Sequence, residues 1–424
     1  MFWLLLFSHT TFKQRVILIM KFLERINTYL DIADELRATR TKNKIKTKPE
    51  NFIVEEIMLN GKVLEFNKPY NEPDSGETYS IFVLQKKCWD TTLALKLIGT
   101  KLGKGIKCFS FAGTKDKHAI TTQLASCYGD VKEKLLNLKL KDIIINGCWM
   151  ANNPVKLGDL LGNRFIISLS DCINPKTHQL FSQAGVFPNF FGIQRFGYRV
   201  NNHIIGKYII QSKLQKAVFE FLCGNAIDKN EEAKKARELL KTEGDFARAL
   251  KYFPKCLKHE RRVIAHLVTN ERDYANALRK LPRQLLLMFV HSYQSYLFNK
   301  MLKKRISLED EFSLITGEYL CERNAGFPLI ENKTNSNDGV PVGKIIGYET
   351  RLSELEQEML EEEEVSPIDF KIKQIQEISS KGGYRQLFAE PIELNISTTD
   401  NTVRFSLAKG CYATVLLEEL YILD

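Results

Sequence analysis

The sequence predicts a protein of the α+β class, with α/β layering as the alternative, and three observations predict it. Strand patterning with amphipathic helices between fills the part before residue 185. Helical spacing then dominates to about residue 304, and strand patterning returns after Gly382 and Gly383. A strand-rich start, a helical middle and a strand-rich end read as one domain interrupted by an insertion. The expected divisions are an N-terminal extension and helix over residues 1–44, a domain in two parts over 45–184 and 373–424, and an inserted domain over 185–372. At 424 residues the chain is long enough for more than one core.

The elements follow in order. Residues 1–19 lack the patterning of a docked element and read as disordered or as an over-extended start; Met20 opens an amphipathic helix to about Leu36. The basic run RATRTKNKIKTK (37–48) leads into PENFIVEEI (49–57), read as an edge strand because Pro49 cannot donate to a ladder. Tyr79 to Gln85 is a strand, Asp90 to Gly103 a helix, and Ile106 to Phe111 a half-buried strand. Further strands are expected over 142–150 and 164–169. In the helical middle, Leu285, Phe289, Tyr293 and Tyr296 fall on one face of a long helix, and 313–348 reads as short strands and loops. The run Glu361 to Glu364 reads as a solvated face that repels misplaced polyanion. ELNIS (393–397) and TVRFSLA (402–408) are strands, and ATVLLEELY (413–421) a closing helix.

Composition narrows the chemistry. A net charge of +10 favours a polyanionic partner, nucleic acid before membrane, since no apolar run reaches the length that spans a bilayer. The nine cysteines are scattered without a CxxC pair, and the seven histidines without HExxH spacing, so no metal is expected and the thiols read as reduced and intracellular. No P-loop supports phosphoryl transfer.

The most informative block is FAGTKDKHAITTQ (111–123). Gly113 is expected to permit a sharp turn that presents Asp116 between Lys115 and Lys117, whose charges would keep its carboxylate ionised. Such an Asp suits nucleophilic or general-base work; a solvated charged turn is the alternative. His118 beside it is a candidate base, with a strand-facing structural histidine the preferred reading.

Four blocks, KTKPENFIVEE (46–56), FAGTKDKHAITTQ, GNRF (162–165) and GVFPNFFGIQRFG (185–197), stand in this order. Together they resemble the pseudouridine synthase D family, in an archaeal-type form. The resemblance implies a pseudouridine-synthase-like catalytic domain with a mixed, largely antiparallel sheet and an inserted α/β domain. It implies isomerisation of uridine to pseudouridine in tRNA, at uridine-13, in the cytoplasm, by a monomer without cofactor, metal or membrane. Asp116 matches the family's catalytic aspartate. Lys46, Phe52, Asn163 and Phe165 match motif residues and are expected at the substrate. Their alternatives are Lys46 pairing with Asp116 or steering phosphate, Asn163 bonding to Asp116, and Phe52 buried as core. Arg195 is placed at the substrate too, with holding the junction to the insertion as its alternative. Phe165 offers a flat face to a flipped base, an ordinary core ring being the other reading. PEDF reads PENF here, so Asn51 can hydrogen-bond but carries no charge. A catalytically idle RNA-binding protein on the same scaffold, or a synthase acting at another RNA position, are the competing functions.

Overall fold

The computed structural model describes residues 48–170, 185–224, 230–306, 314, 316–336, 338–397 and 399–422. Lys46 and the expected helix from Met20 lie outside the described residues. Within them the protein is α+β.

The first layer is an eight-stranded sheet. Its strands are β1 (Phe52–Ile57), β2 (Tyr79–Lys87), β3 (Phe109–Phe111), β4 (Ile120–Tyr128), β5 (Ile143–Ala151) and β6 (Gly162–Ser168), with β13 (Ile392–Ser397) and β14 (Thr402–Ala408) added from the far end of the chain. The order is β13-β14-β6-β1-β4-β2-β5, with β3 also paired to β4. Only β1 and β4 run parallel; the other pairs are antiparallel. Helix α1 (Thr91–Leu102) covers one face. Its ends are written in the sequence: the Asp90 side chain accepts from the Leu93 amide, and Gly103 closes the helix at φ 66°. A short helix, α2 (Lys132–Leu136), precedes β5.

Two expectations change here. PENF does not begin an edge strand. Pro49–Asn51 form a 3₁₀ turn, and β1 lies in the middle of the sheet between β4 and β6. The proline precedes the ladder, so its missing donor costs β1 nothing. Residues 106–108 form a 3₁₀ turn as well, leaving only Phe109–Phe111 as strand.

Central β1 carries two adjacent buried glutamates, and each has a cation on its own side of the sheet. Glu55 pairs with Arg164 at 2.5 Å on one face, and Glu56 with Lys115 at 2.6 Å on the other. Burial of a carboxylate is tolerable only with such partners. At the head of β6, a Cβ on Gly162 would stand 2.1 Å from the Leu407 carbonyl oxygen, so glycine lets β14 approach.

After β7 (Phe187–Pro188) the chain is helical: α3 (Asn202–Ile210), α4 (Leu214–Cys223), α5 (Glu231–Glu243), α6 (Phe246–Tyr252), α7 (Lys258–Thr269), α8 (Tyr274–Arg279) and the long α9 (Arg283–Ile306). A four-stranded antiparallel sheet follows, in the order β11-β10-β8-β9, from β8 (Tyr319–Asn324), β9 (Phe327–Thr334), β10 (Val340–Ile345) and β11 (Gly383–Gln386). Helix α10 (Glu354–Glu362) lies between β10 and β11; β12 (Phe388–Ala389) pairs with β7, and α11 (Ala413–Ile422) closes the chain. One core joins the two sheets: Val54, Phe165 and Phe405 of the first share it with Cys321 and Val342 of the second and Phe298 of α9.

The acidic run at the end of α10, Glu361 to Glu364, is not simply a solvated face. Glu363 is buried, with Lys207 Nζ at 2.8 Å, Lys300 Nζ at 2.7 Å, and hydroxyl donors from Tyr296 at 3.1 Å and Tyr293 at 3.4 Å. Burial alone would raise its carboxyl pKa; the hydrogen bonds and charges of the two lysines outweigh that and hold it below the ordinary glutamate value. A carboxyl held low in the folded state gives stability that is full above its unfolded pKa and is lost as pH falls through the lower folded one. Glu363→Ala should therefore lower stability by about 3 kcal/mol at neutral pH, the low end for breaking a buried pair because both lysines keep some water. Denaturant midpoints at pH 7 and pH 3 check this: the difference between wild type and variant should shrink at pH 3.

Candidate active site

The connection from β3 to β4, residues 112–119, has little room in the plane of the sheet. β3 pairs with the second half of β4, at Ala125–Cys127, while β1 occupies the place beside its first half, at Ile120–Thr122. The connection is instead tied to side chains of one face, where Lys86 and Glu56 both reach it.

Strand register defines that face. Phe405, Phe165, Val54, Thr121 and Lys86 follow one another across β14, β6, β1, β4 and β2. In the next row stand Leu407, Asn163 and Glu56. Apolar packing lies at both ends of these rows, under α1 on one side and in the joint core on the other. Between them runs a polar strip, and the loop carrying Asp116 is tied to it at five points. Lys115 Nζ meets Glu56, and the Lys115 amide donates to Thr91 Oγ1 at 3.3 Å. Gln123 Nε2 donates to the Gly113 carbonyl at 2.9 Å while its Oε1 accepts from Thr91 at 3.0 Å. Lys86 Nζ donates to the carbonyls of Asp116 at 3.0 Å and Lys115 at 3.4 Å.

These contacts revise the reading of the turn. Gly113 is not among the residues of positive φ, and a Cβ there would meet only Lys115 Nζ at an ordinary 3.8 Å. The loop is shaped by its anchors, not by glycine's freedom. Lys115 is not a free flanking charge either, since its side chain is buried against Glu56. His118 is exposed, not a strand-facing structural residue.

Asp116 is exposed on the loop, while the protein close to it partly desolvates its carboxylate. The resulting loss of hydration raises its pKa above the ordinary aspartate value, and the charges of Lys86 and Lys115 only partly oppose this. The expectation that flanking lysines dominate is therefore corrected: burial wins. Such a carboxylate is a better base and nucleophile once ionised. Glu56, wholly buried, is pushed up by burial more than Lys115 pulls it down.

The other expected site residues divide. Asn163 stands in the row of Glu56, and its Oδ1 is buried without a hydrogen-bond partner among the described residues, which leaves an acceptor at the strip. Phe52 is half-buried, its ring edge-on to Phe165 at 6.3 Å. Phe165 is 6% exposed and stacked on Phe405 at 5.4 Å. With its face covered by Phe405, the ring is held as core, contrary to the expectation of a face free for a base. Phe165→Ala should accordingly cost about 3–5 kcal/mol of stability. A thermal melt checks it; an unchanged midpoint with lost turnover would return the ring to the substrate. Arg195 sits in the 3₁₀ turn Ile193–Phe196, and its Nε donates to Ser295 Oγ of α9 at 3.1 Å. This bond ties the turn to α9.

Lys86, Glu56, Thr91 and Gln123 were not singled out by sequence reasoning. A signal existed for Lys86: it continues the inward series Phe82, Leu84, where period-two alternation demands an apolar residue. Among the described residues no group of His, Cys, Asp and Glu could hold a metal, and no helix is long and apolar enough to cross a membrane. A recess of about 500 Å³ lined by Lys213, Lys216, Arg272 and Tyr274 lies in the helical part and includes no expected site residue.

Residues 35–420 match the tRNA pseudouridine synthase D (TruD) family. The chain belongs to that family. The "Probable tRNA pseudouridine synthase D" of Methanococcus vannielii is 35% identical over 400 residues, covering 91% of this chain and 96% of the relative. The "Probable tRNA pseudouridine synthase D 1" of Methanocaldococcus jannaschii is 36% identical over 397 residues, covering 88% and 94%. The crystal structure of the putative tRNA pseudouridine synthase D of Methanosarcina mazei superposes with a TM-score of 0.69 at 31% identity, covering 93% of this chain and 96% of that one. The resemblance read from four short motifs thus extends to the fold and nearly the whole chain, and the chain is an enzyme of the pseudouridine synthase class. Within the TruD frame, the departure at Asn51 falls in the turn before β1, where its backbone N–H donates to the Lys48 carbonyl at 2.9 Å.

Proposed function

We propose that the protein isomerises uridine to pseudouridine in tRNA, at uridine-13 by its likeness to the family, with Asp116 as the reacting carboxylate. The observation that carries this reading is the placement of Asp116: a solvent-accessible carboxylate on a loop anchored to a polar strip, facing the ammonium groups of Lys86 and Lys115. The reaction breaks the C1′–N1 bond, turns the uracil and joins C5 to C1′, while the C5 proton is released and N1 gains one. No redox change or cofactor is needed. The carboxylate attacks C1′ or C6, or removes the proton; all three use its ionised form. The acceptor left on Asn163 suits an imide N–H of a detached uracil. Lys46 is proposed at the substrate by its motif match alone. The discontinuous catalytic domain, 45–184 with 373–424 around the insertion 185–372, is likewise proposed; the pairing of β14 with β6 supports it.

Tritium release from tRNA labelled at uridine C5 tests the activity, and pseudouridine mapping tests the position. No release, with tRNA bound, would leave the idle-scaffold reading. The acid limb of kcat/KM, which reports the free enzyme, should lie above the ordinary aspartate pKa because burial raises Asp116. Activity should thus fall with acid earlier than an exposed aspartate would dictate.

A further inference from the structure

We propose that Lys86 is the positioning residue of the Asp116 loop: from the strip beneath, its buried ammonium holds the carbonyls of Lys115 and Asp116 and supplies the uncompensated positive charge that the reacting carboxylate faces. This rests on Asp116 being the reacting group.

Lys86 is 1% exposed, on a strand where Phe82 and Leu84 are its inward neighbours. Among the described residues no carboxylate is in ion-pair contact with it; its close acceptors are the two loop carbonyls, at 3.0 and 3.4 Å. The titratable groups facing it are Asp116 and Lys115 from the loop, Asp90 at the start of α1, and Cys88 in the connection between. Lys115 differs, because its charge is taken up by Glu56 at 2.6 Å. Only one of the two lysines therefore has charge to spare for Asp116.

Burial lowers the Lys86 pKa to about 8. An amine whose pKa falls on folding weakens the fold wherever it is charged, and stability from this group rises as pH increases from about 8 towards the unfolded value. An apolar side chain of similar length would suit the fold better. What Lys86 contributes is geometric and electrostatic: two donors that fix the backbone on either side of the Lys115–Asp116 peptide, and a charge that keeps the carboxylate ionised and aimed.

The test uses the full chain and tRNA, comparing wild type, Lys86→Met and Asp116→Asn. Lys86→Met should melt no earlier than wild type and bind tRNA within a few-fold. It should lose about 100-fold or more in single-turnover rate with KM little changed. The wild-type kcat/KM should fall on the alkaline side with a limb near pH 8, and Lys86→Met should lack that limb. Wild-type rate and limb in Lys86→Met, beside an inactive Asp116→Asn, would overturn this inference and leave the proposed function standing. An active Asp116→Asn would instead overturn the proposed function. Should Lys86→Met not fold, the wild-type profile decides: a rate flat from pH 7 to 9.5 overturns the role of Lys86.

Discussion

Asp116→Asn abolishes isomerisation, by a factor on the order of 10⁴ or more, while tRNA affinity stays within a few-fold. The substitution keeps size and shape and removes only the charge. None of the five anchors of the loop uses the Asp116 side chain: they engage the carbonyls of Gly113, Lys115 and Asp116, the Lys115 amide and the Lys115 ammonium. The loop should therefore stay in place, so a lost rate reports chemistry. Loss of a negative charge cannot weaken attraction to a polyanion, and affinity should keep its steep decline with salt. Tritium release and filter binding at two salt concentrations check both halves. Retained turnover would remove Asp116 from the mechanism.

A chain ending at residue 372 should be insoluble and inactive. It loses β13 and β14, and with them every partner of β6 from Gly162 to Ser168 on that side. It also loses β11, the neighbour of β10. The face left open is apolar: Val403, Phe405, Leu407, Leu387, Phe388, Leu416 and Leu417 all leave the joint core. Each contributes about 1.5–3 kcal/mol by burial. Together, at about 10–20 kcal/mol, they match or exceed the roughly 5–15 kcal/mol that separates folded from unfolded domains. An unpaired apolar edge then invites association between chains. Sedimentation of the expressed fragment checks this, and a soluble, active fragment would refute the discontinuous domain.

Much of the fold was legible because its signals are local. Asp90 and Gly103 mark both ends of α1, and the alternation of TVRFSLA gives β14 to the residue. Family motifs made the Asp116 loop stand out. What escaped reading depends on distant partners. Pro49 looks like an edge signal until the turn before β1 is seen, and nothing near Phe52 says that β4 and β6 flank it. Glu363 looks solvated until Lys207 and Lys300 arrive from other helices. Phe165 reads as a stacking surface until Phe405, some 240 residues later, covers it. The Asp116 pKa followed the same pattern: charge from neighbours in sequence was visible, loss of hydration in the folded surroundings was not.

The pairing of β14 with β6 also sets a timetable for synthesis. Roughly 230 residues separate the end of β6 from the start of β14. At about 5–20 residues per second, a ribosome takes on the order of 10–50 s to deliver the last strand after β6 has emerged. Throughout that interval the nascent sheet presents Phe165 and Ile167 beside an unsatisfied ladder, while the helices of the middle segment can already fold from local contacts. Expression at lower temperature changes this wait along with everything else, but a circularly permuted gene that places β13 and β14 directly before β1 would remove it. The yield of such a permutant should depend less on chaperone supply than that of the natural order.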